Sequence, residues 1–202
     1  MPSIYDLKPG FQALLRPLMR FLRKIGITPN ALTVMAILLS AVTGFCLWLG
    51  TTQRSLLLFV PIALFVRMAL NALDGMMARE FKLSSPEGMI LNELGDVISD
   101  TMIFLPLIAH SSDQSWTVIL FAMLGILNEF TGVLAFNVCG ERLYQGPMGK
   151  SDRAFVIGGL CLSLYLWPGF EAWVGTCMIL FSVLLVVSTA NRIKGALARA
   201  RI

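Results

Sequence analysis

Polar side chains that can bind a metal ion recur at helical spacing in two neighbouring stretches of an otherwise apolar chain. Asn71 and Asp74 are three residues apart, and residues so spaced lie on one face of a helix. Asn92, Asp96 and Asp100 follow at intervals of four residues and also share a face. Carboxylate and amide oxygens suit hard cations such as Mg²⁺, Mn²⁺ and Ca²⁺. The two faces therefore predict a metal site between two helices.

The elements that must position these side chains are expected to be membrane helices. Of the 202 residues, 56% are hydrophobic and 14% are charged, with a mean hydropathy of +0.76, which excludes an ordinary soluble domain. About 20 apolar residues span a bilayer. Six windows meet or approach this length: Ala31–Gly50, Ser55–Leu73, Gly88–His110, Trp116–Gly140, Ala154–Phe170 and Glu171–Ala190. We predict one all-α integral membrane domain over residues 1–202, with a six-helix transmembrane bundle over 31–190.

The basic residues indicate how this bundle is oriented, because Lys and Arg concentrate in cytoplasmic loops. Of the 16 basic residues, 14 lie before the first window, in every second loop or after the last window. The two others are Arg54, in an opposite loop, and Arg67, within a window. We expect both termini, a basic tail over 191–202 and the polar site to face the cytoplasm.

The segment before the first window has the pattern of an amphipathic helix. Apolar residues recur at helical spacing over Ser3–Ile25, and arginines are displaced from them. This predicts an interfacial helix within residues 1–27, attracted by anionic lipid and kinked or broken at Pro17. A positively charged anchor that only orients the first span is an alternative, and the two roles are compatible.

The polar stretch carries a family resemblance. Asp74-Gly75, Ala78-Arg79 and, after eight residues, Gly88 resemble the signature of the CDP-alcohol phosphotransferases, D-x-x-D-G-x-x-A-R, eight residues, G-x-x-x-D-x-x-x-D. The segments ITPNALT, before the first span, and MGKSDRA, before the fifth, also resemble family segments, so the resemblance covers nearly the whole chain. It implies six spans, a cytoplasmic site and a homodimer.

The sequence departs from the signature at two ligand positions. The four aspartates of the family fall on Asn71, Asp74, Asn92 and Asp96, so two of the four are asparagine here. In typical members these residues bind two divalent ions, and the last is the base that deprotonates the acceptor hydroxyl. The resemblance therefore implies Asp96 as catalytic base and Asn71, Asp74, Asn92 and Asp96 as ligands of one or two Mg²⁺ or Mn²⁺ ions, or of Ca²⁺.

Asp100 has two alternative roles. In a register shifted by one helical turn, Asp96 and Asp100 are the final pair of the signature, and Asp100 is a metal ligand. Alternatively, Arg67 lies seven residues before Asp74 on the same face, about 10 Å deeper in the membrane. An Arg67–Asp100 ion pair beneath the metal site would neutralise both buried charges.

The resemblance implies a CDP-linked donor, with Arg79 binding its phosphates. The residues expected to bind nucleotide and pyrophosphate are Thr28, Pro29, Asn30, Asp74, Gly75, Ala78, Arg79 and Gly88. For Thr28 to Thr33 the alternative is a simple helix start, with Pro29 in the first turn and Asn30 as the cap.

Three further residues are candidates for the acceptor site. Lys150 and Arg153 either bind the phosphate of a phosphorylated acceptor or only fix the topology. Glu129, within the fourth window, either lines the acceptor pocket or, like the adjacent Asn128, links helices by hydrogen bonds.

Together these features predict an enzyme of phospholipid synthesis that transfers a phosphatidyl group from CDP-diacylglycerol to an alcohol and releases CMP. Alternatives are a transferase that uses a soluble CDP-alcohol and a lipid acceptor, a weakened enzyme that only binds CDP-lipid, and a channel or transporter. We expect a location in the bacterial inner membrane and no nucleic-acid partner. The acceptor is open among glycerol phosphate, inositol phosphate, serine and an amino alcohol.

Overall fold

The computed structural model describes residues 8–144 and 146–200, which form helices joined by short turns and contain no strand. The seven α-helices are α1 (Lys8–Lys24), α2 (Pro29–Leu49), α3 (Phe59–Glu80), α4 (Pro86–Phe104), α5 (Ser115–Cys139), α6 (Lys150–Leu166) and α7 (Glu171–Arg199). Short 3-10 helices, Arg54–Leu58 and Leu105–His110, precede α3 and follow α4. The all-α class is confirmed.

Within residues 8–144 and 146–200, four segments are long and apolar enough to cross a membrane. They are Pro29–Leu49, Arg54–Glu80, Ser115–Cys139 and Glu171–Arg199. The two other predicted spans correspond to α4 and α6, which do not meet this requirement. The 19 residues of α4 include four acidic residues, and α6 has 17 residues.

Several boundaries differ from the expectation. Helix α3 continues to Glu80, beyond the apolar window that ends at Leu73, and α7 continues to Arg199, so most of the expected basic tail is helical. Helix α1 is continuous through Pro17, so the alternative of a break at this residue is wrong. Residues 3–7 of the expected interfacial helix lie outside the described residues.

The apolar residues of helix α1 lie on two faces, one buried and one exposed. Leu15 and Met19 are buried in a cluster with residues of α2 and α3, whereas Leu14 and Phe21 are exposed. Arg16 Nη2 also lies 3.0 Å from an oxygen of the Glu80 carboxylate at the end of α3. Helix α1 is therefore attached to the bundle on one face and presents an apolar surface on the other.

The packing of α4 against α2 depends on glycine. A Cβ atom at Gly44 would overlap the carbonyl oxygen of Met102, and one at Gly95 would lie 2.8 Å from Ile37 Cδ1. Small residues permit such close approach between membrane helices. Because α2 also packs along α3, it fixes the positions of both α3 and α4.

Gly44→Ala is expected to separate α2 from α4 and to lower the midpoint of heat denaturation in detergent. The cost should exceed about 1 kcal/mol, because the added methyl group meets backbone rather than a flexible side chain. Gly159→Ala is the matched control: Gly159 is exposed in α6 and a Cβ there meets no atom within 4 Å, so helix propensity should make this change neutral or stabilising. Equal effects of the two changes would contradict the packing described.

Candidate active site

The predicted site residues gather at one end of the bundle, where α2, α4 and α6 begin and α3, α5 and α7 end. Side-chain contacts between the helices establish this arrangement. They connect Thr33 with Asp74, Asn71 and Lys150 with Asp96, and Arg153 and Arg192 with Glu129. Helices that alternate in direction thus bring residues from distant parts of the sequence together.

Asp74 lies at the interface of α2 and α3. Its Oδ2 accepts a hydrogen bond from the hydroxyl of Thr33 at 2.9 Å, and its side chain is buried. The exposed Arg79 lies one turn further along α3, with its guanidinium over Gly75: Nη1 is 3.3 Å from the position that a Cβ of Gly75 would take. Arg79 therefore lies above Asp74 at the open end of the bundle.

Two helix starts meet beside this position. Thr28 caps α2 by accepting a hydrogen bond from the Ala31 backbone N–H at 3.2 Å, with Pro29 in the first turn. The expected cap, Asn30, is exposed instead, and its Oδ1 would lie 2.7 Å from a Cβ atom at Gly88, near the start of α4. Thr28 has the better geometry for capping because it occupies the non-helical residue before the helix. Asn30 is left at the surface between α2 and α4.

Asp96 is the point at which α3, α4 and α6 meet. Its Oδ1 accepts a hydrogen bond from Asn71 Nδ2 at 3.0 Å, and its Oδ2 contacts the ammonium of Lys150. Arg67 Nη2 lies 3.8 Å from Oδ1. Asn92 is half-buried one turn nearer the start of α4. The two motif residues Asn71 and Asp96 are thus joined directly.

Asp100 lies one turn deeper, between two arginines. Its Oδ1 is 2.8 Å from Arg67 Nη1, so the contact anticipated from the spacing is present, and its Oδ2 is 2.7 Å from Arg153 Nη2. Arg153 is enclosed, with 1% of its side chain exposed, and it also donates to Glu129 and to the carbonyl of Met148. Because both Asp100 oxygens face guanidinium groups, its contacts are those of a structural ion pair.

Two arginines that the sequence did not single out complete this network. Arg142, from the loop between α5 and α6, pairs with Glu93 and with Glu129, and Arg192 of α7 approaches Glu129. Burial lowers the pKa of Arg142, but a guanidinium titrates so far above neutral pH that it stays charged. In the sequence, both residues belong to the loop and tail arginines that indicate topology. No local pattern marked them as members of a buried cluster.

The oxygen ligands present fit one divalent ion better than two. Asp74 and Asp96 are the two carboxylates among the four motif positions, and the amide oxygens of Asn71 and Asn92 can add neutral ligands. Within the described residues, however, no three acidic, histidine or cysteine side chains are grouped to hold a metal. Lys150 already supplies one positive charge at Asp96.

The fold and site define a helical membrane protein with a polar cluster at one end of its bundle and an Asp-Gly-x-x-Ala-Arg segment beside it. Residues 26–193 match the family model of the CDP-alcohol phosphatidyltransferases, and the chain belongs to this family. Among its relatives, the inner membrane protein YnbA of Escherichia coli (strain K12) is 44% identical over 195 residues, 96% of each chain. An uncharacterized protein of Aquifex aeolicus is 27% identical over 194 residues, covering 93% of this chain and 96% of that protein.

Solved structures share the fold. Phosphatidylinositol phosphate synthase (PgsA1) of Mycobacterium tuberculosis, in complex with manganese and citrate, matches with a TM-score of 0.73 and 19% identity over 90% of this chain and 88% of that one. The same protein with CDP-DAG bound gives a TM-score of 0.72 and 21% identity over 92% and 98% of the two chains.

The Arg67–Asp100 contact predicts non-additive mutational effects. Arg67→Leu leaves Asp100 with one buried cation fewer, and breaking a buried pair typically costs about 3–5 kcal/mol. Arg67→Leu combined with Asp100→Leu should cost less than the sum of the single changes, by about 1 kcal/mol or more. Denaturation midpoints of the four proteins in detergent would measure this coupling. Additive effects would show that the two side chains do not stabilise each other.

Proposed function

We propose that the protein transfers the phosphatidyl group of CDP-diacylglycerol to the hydroxyl of an alcohol and releases CMP. The observation that carries the proposal is the placement of Asp74, Gly75, Arg79 and Asp96, all in register with the family signature, at one end of the bundle. Membership of the family and the fold shared with PgsA1, a protein solved with CDP-DAG bound, support the same donor.

The donor half of the site lies between the starts of α2 and α4 and the end of α3. Arg79 is exposed above Asp74, and its planar guanidinium suits a bidentate contact with phosphate. Ala78 and Gly88 offer little side-chain bulk beside it, and the exposed amide of Asn30 is available to the cytidine. Thr28 and Pro29 contribute by fixing the start of α2. A donor site at this end of the helices would let the diacylglycerol remain in the bilayer.

One Mg²⁺ or Mn²⁺ ion is expected in this site, held by Asp74 and Asp96 with the amide oxygens of Asn71 and Asn92. When bound, it would neutralise the pyrophosphate and stabilise the leaving CMP. Hydrogen bonding from Thr33 orients the Asp74 carboxylate for this role. We assign Asp100 to the scaffold, because guanidinium groups face both of its oxygens.

Asp96 is positioned to be the catalytic base. It takes the proton of the acceptor hydroxyl, and the acceptor oxygen forms a bond to the phosphorus that carries diacylglycerol. The bond from that phosphorus to the CMP oxygen breaks, and CMP leaves with the electron pair. Lys150 and Asn71 hold the carboxylate in place, and the acceptor enters beside the partly exposed Lys150. Arg153 supports this arrangement from below.

We infer that the protein lies in the bacterial inner membrane with the site on the cytoplasmic side. The name of the relative YnbA supports the inner membrane. The orientation is supported by the sequence positions of 14 of the 16 basic residues, which lie before the first predicted span, in every second loop or after the last span. Helices α4 and α6 would complete six spans, because Asp96 and Asp100 of α4 pair with Lys150 and Arg153 of α6 within the polar cluster rather than facing lipid. The exposed apolar face of α1 supports its interfacial position. A homodimer stays an expectation from the family.

Asp96→Asn should reduce CMP release from CDP-diacylglycerol by about 10²–10⁴-fold, the usual contribution of a general base. The measurement is CMP formed by purified protein in detergent with Mg²⁺ or Mn²⁺ and a panel of alcohols. Asp113→Asn is the control, because Asp113 is exposed in the turn at the opposite end of the bundle.

If the Asp96→Asn protein folds and still releases CMP at the wild-type rate, Asp96 is not the catalytic base. Metal-dependent binding of CDP-diacylglycerol by the wild type, without CMP release for any alcohol, would indicate a binding protein that has lost the chemistry. The asparagines at positions 71 and 92 are the observation that favours this second function. CMP released only from a soluble CDP-alcohol would identify a different donor.

Removal of divalent ions should abolish CMP release, and Mg²⁺ or Mn²⁺ should restore it. Calorimetric titration with Mn²⁺ of the protein freed of metal by a chelator should give one site per chain. The reason is that only two of the four carboxylates of the family's ligand set are present. Asp74→Asn should weaken this binding at least about tenfold, whereas Glu141→Gln, at an exposed position of the α5–α6 loop, should leave it unchanged. A stoichiometry of two, or binding unaffected by Asp74→Asn, would contradict this ligand assignment.

A further inference from the structure

Four basic side chains converge on the carboxylate of Glu129. Arg153 Nη2 lies 2.8 Å from Oε1 and Arg142 Nη2 lies 2.9 Å from Oε2, while Lys150 and Arg192 each approach to 3.8 Å. They come from the loop after α5, from α6 and from α7, so Glu129 joins elements that are separate in sequence. Without this carboxylate, the same four side chains would form a strongly basic pocket.

The charges of this cluster almost balance. Each basic residue around Glu129, except Arg192, also contacts a second carboxylate. The cluster contains five cations and four anions: Arg67, Arg142, Lys150, Arg153 and Arg192, with Glu93, Asp96, Asp100 and Glu129. One net positive charge remains, which is too little to balance a phosphate monoester, whose charge at neutral pH is about −1.5 to −2.

The accessible part of the cluster lies beside the base. The side chain of Lys150 is 27% exposed and that of Arg142 is 14% exposed, whereas Arg153 and Arg192 are enclosed. An acceptor whose hydroxyl reaches Asp96 therefore passes Lys150 and Arg142, the two cations that Glu129 already engages. A phosphate on that acceptor would compete with Glu129 for them.

Three unpaired donors of the cluster do not alter this competition. Within the described part of the chain, the Nε atoms of Arg67, Arg142 and Arg192 have no hydrogen-bond partner, but all three atoms are buried. A phosphate at the mouth would reach none of these atoms without movement of the surrounding helices.

We propose that Glu129 is a built-in substitute for an acceptor phosphate, and that the acceptor is an alcohol without a phosphate group. This inference rests on the proposed transferase function and specifies its second substrate. A phosphorylated acceptor would face repulsion from Glu129 and Glu93 in a poorly hydrated site, whereas an uncharged or zwitterionic alcohol leaves the existing ion pairs intact. Glu129 thus selects the acceptor by excluding a charge.

The test compares acceptors in matched pairs on the wild-type protein. Glycerol against glycerol 3-phosphate, and inositol against inositol phosphate, differ only in the phosphate group. With CDP-diacylglycerol and Mg²⁺ or Mn²⁺, kcat/KM for CMP release should favour an unphosphorylated alcohol by at least about tenfold, and serine tests a zwitterionic alcohol. Preference for the phosphorylated member would overturn the inference and leave the transferase standing. No CMP from any acceptor would overturn both.

Glu129→Gln tests the residue itself, with Glu141→Gln, an exposed acid in the α5–α6 loop, as the matched control. The substitution retains the shape and removes one negative charge, so the preference for the unphosphorylated member should fall at least about tenfold, mainly through a lower KM for the phosphorylated one. Inorganic phosphate should inhibit the variant competitively with the acceptor more strongly than it inhibits the wild type. If Glu129 is only structural, kcat/KM for the two acceptors of a pair should fall by the same factor, and their ratio should be unchanged. That result would contradict a role of Glu129 in acceptor selection. The wild-type acceptor pairs decide the question if the variant does not fold.

Discussion

The ion pairs enclosed between the helices are the constraint on which the rest of this structure depends. A charged side chain among membrane helices is costly unless it is paired. Here the pairs share partners and form a continuous series of alternating charge through α3, α4, α6, α5 and the α5–α6 loop. The series is Lys150–Asp96–Arg67–Asp100–Arg153–Glu129–Arg142–Glu93. Four helices are thereby fixed at the end where the motif residues lie.

This network connects the stability of the bundle to its chemistry. Asp96, the proposed base, contacts Lys150 near the surface and Arg67 in the interior, so its orientation depends in part on a buried arginine away from the substrate. The donor half behaves differently, because Asp74 is held by the neutral hydroxyl of Thr33 and Arg79 is exposed. One half of the site is therefore preorganised by buried charge, and the other is open to a charged donor.

The sequence predicted those parts of the structure that leave a periodic signal. Apolar windows located six helices, and three- and four-residue spacings placed Asn71 with Asp74 and Asp96 with Asp100. The Arg67–Asp100 contact was predicted by comparing how deep the two residues lie along their helices. This comparison works because the rise per residue of a helix is constant. The expected roles of the motif residues came from the resemblance to the family.

Features that depend on loops and helix ends did not follow from the sequence. Arg142 reaches the cluster from a loop, and Arg192 lies in a segment that was expected to be a tail but continues α7. Thr28, rather than Asn30, caps α2, because both residue types can cap and only backbone geometry distinguishes them. The role of Glu129 depends on four partners from separate elements, which no local pattern contains.

Analysis of the lipid product tests the central claim most directly. The purified protein would be incubated with CDP-diacylglycerol, Mg²⁺ or Mn²⁺ and a mixture of alcohols, and lipids and nucleotides would be quantified by mass spectrometry. The account predicts a new phospholipid that contains one of the alcohols, formed in equal amount with CMP and absent with the Asp96→Asn protein. CDP-diacylglycerol recovered intact under every condition, from a protein that is folded and binds it, would contradict the account.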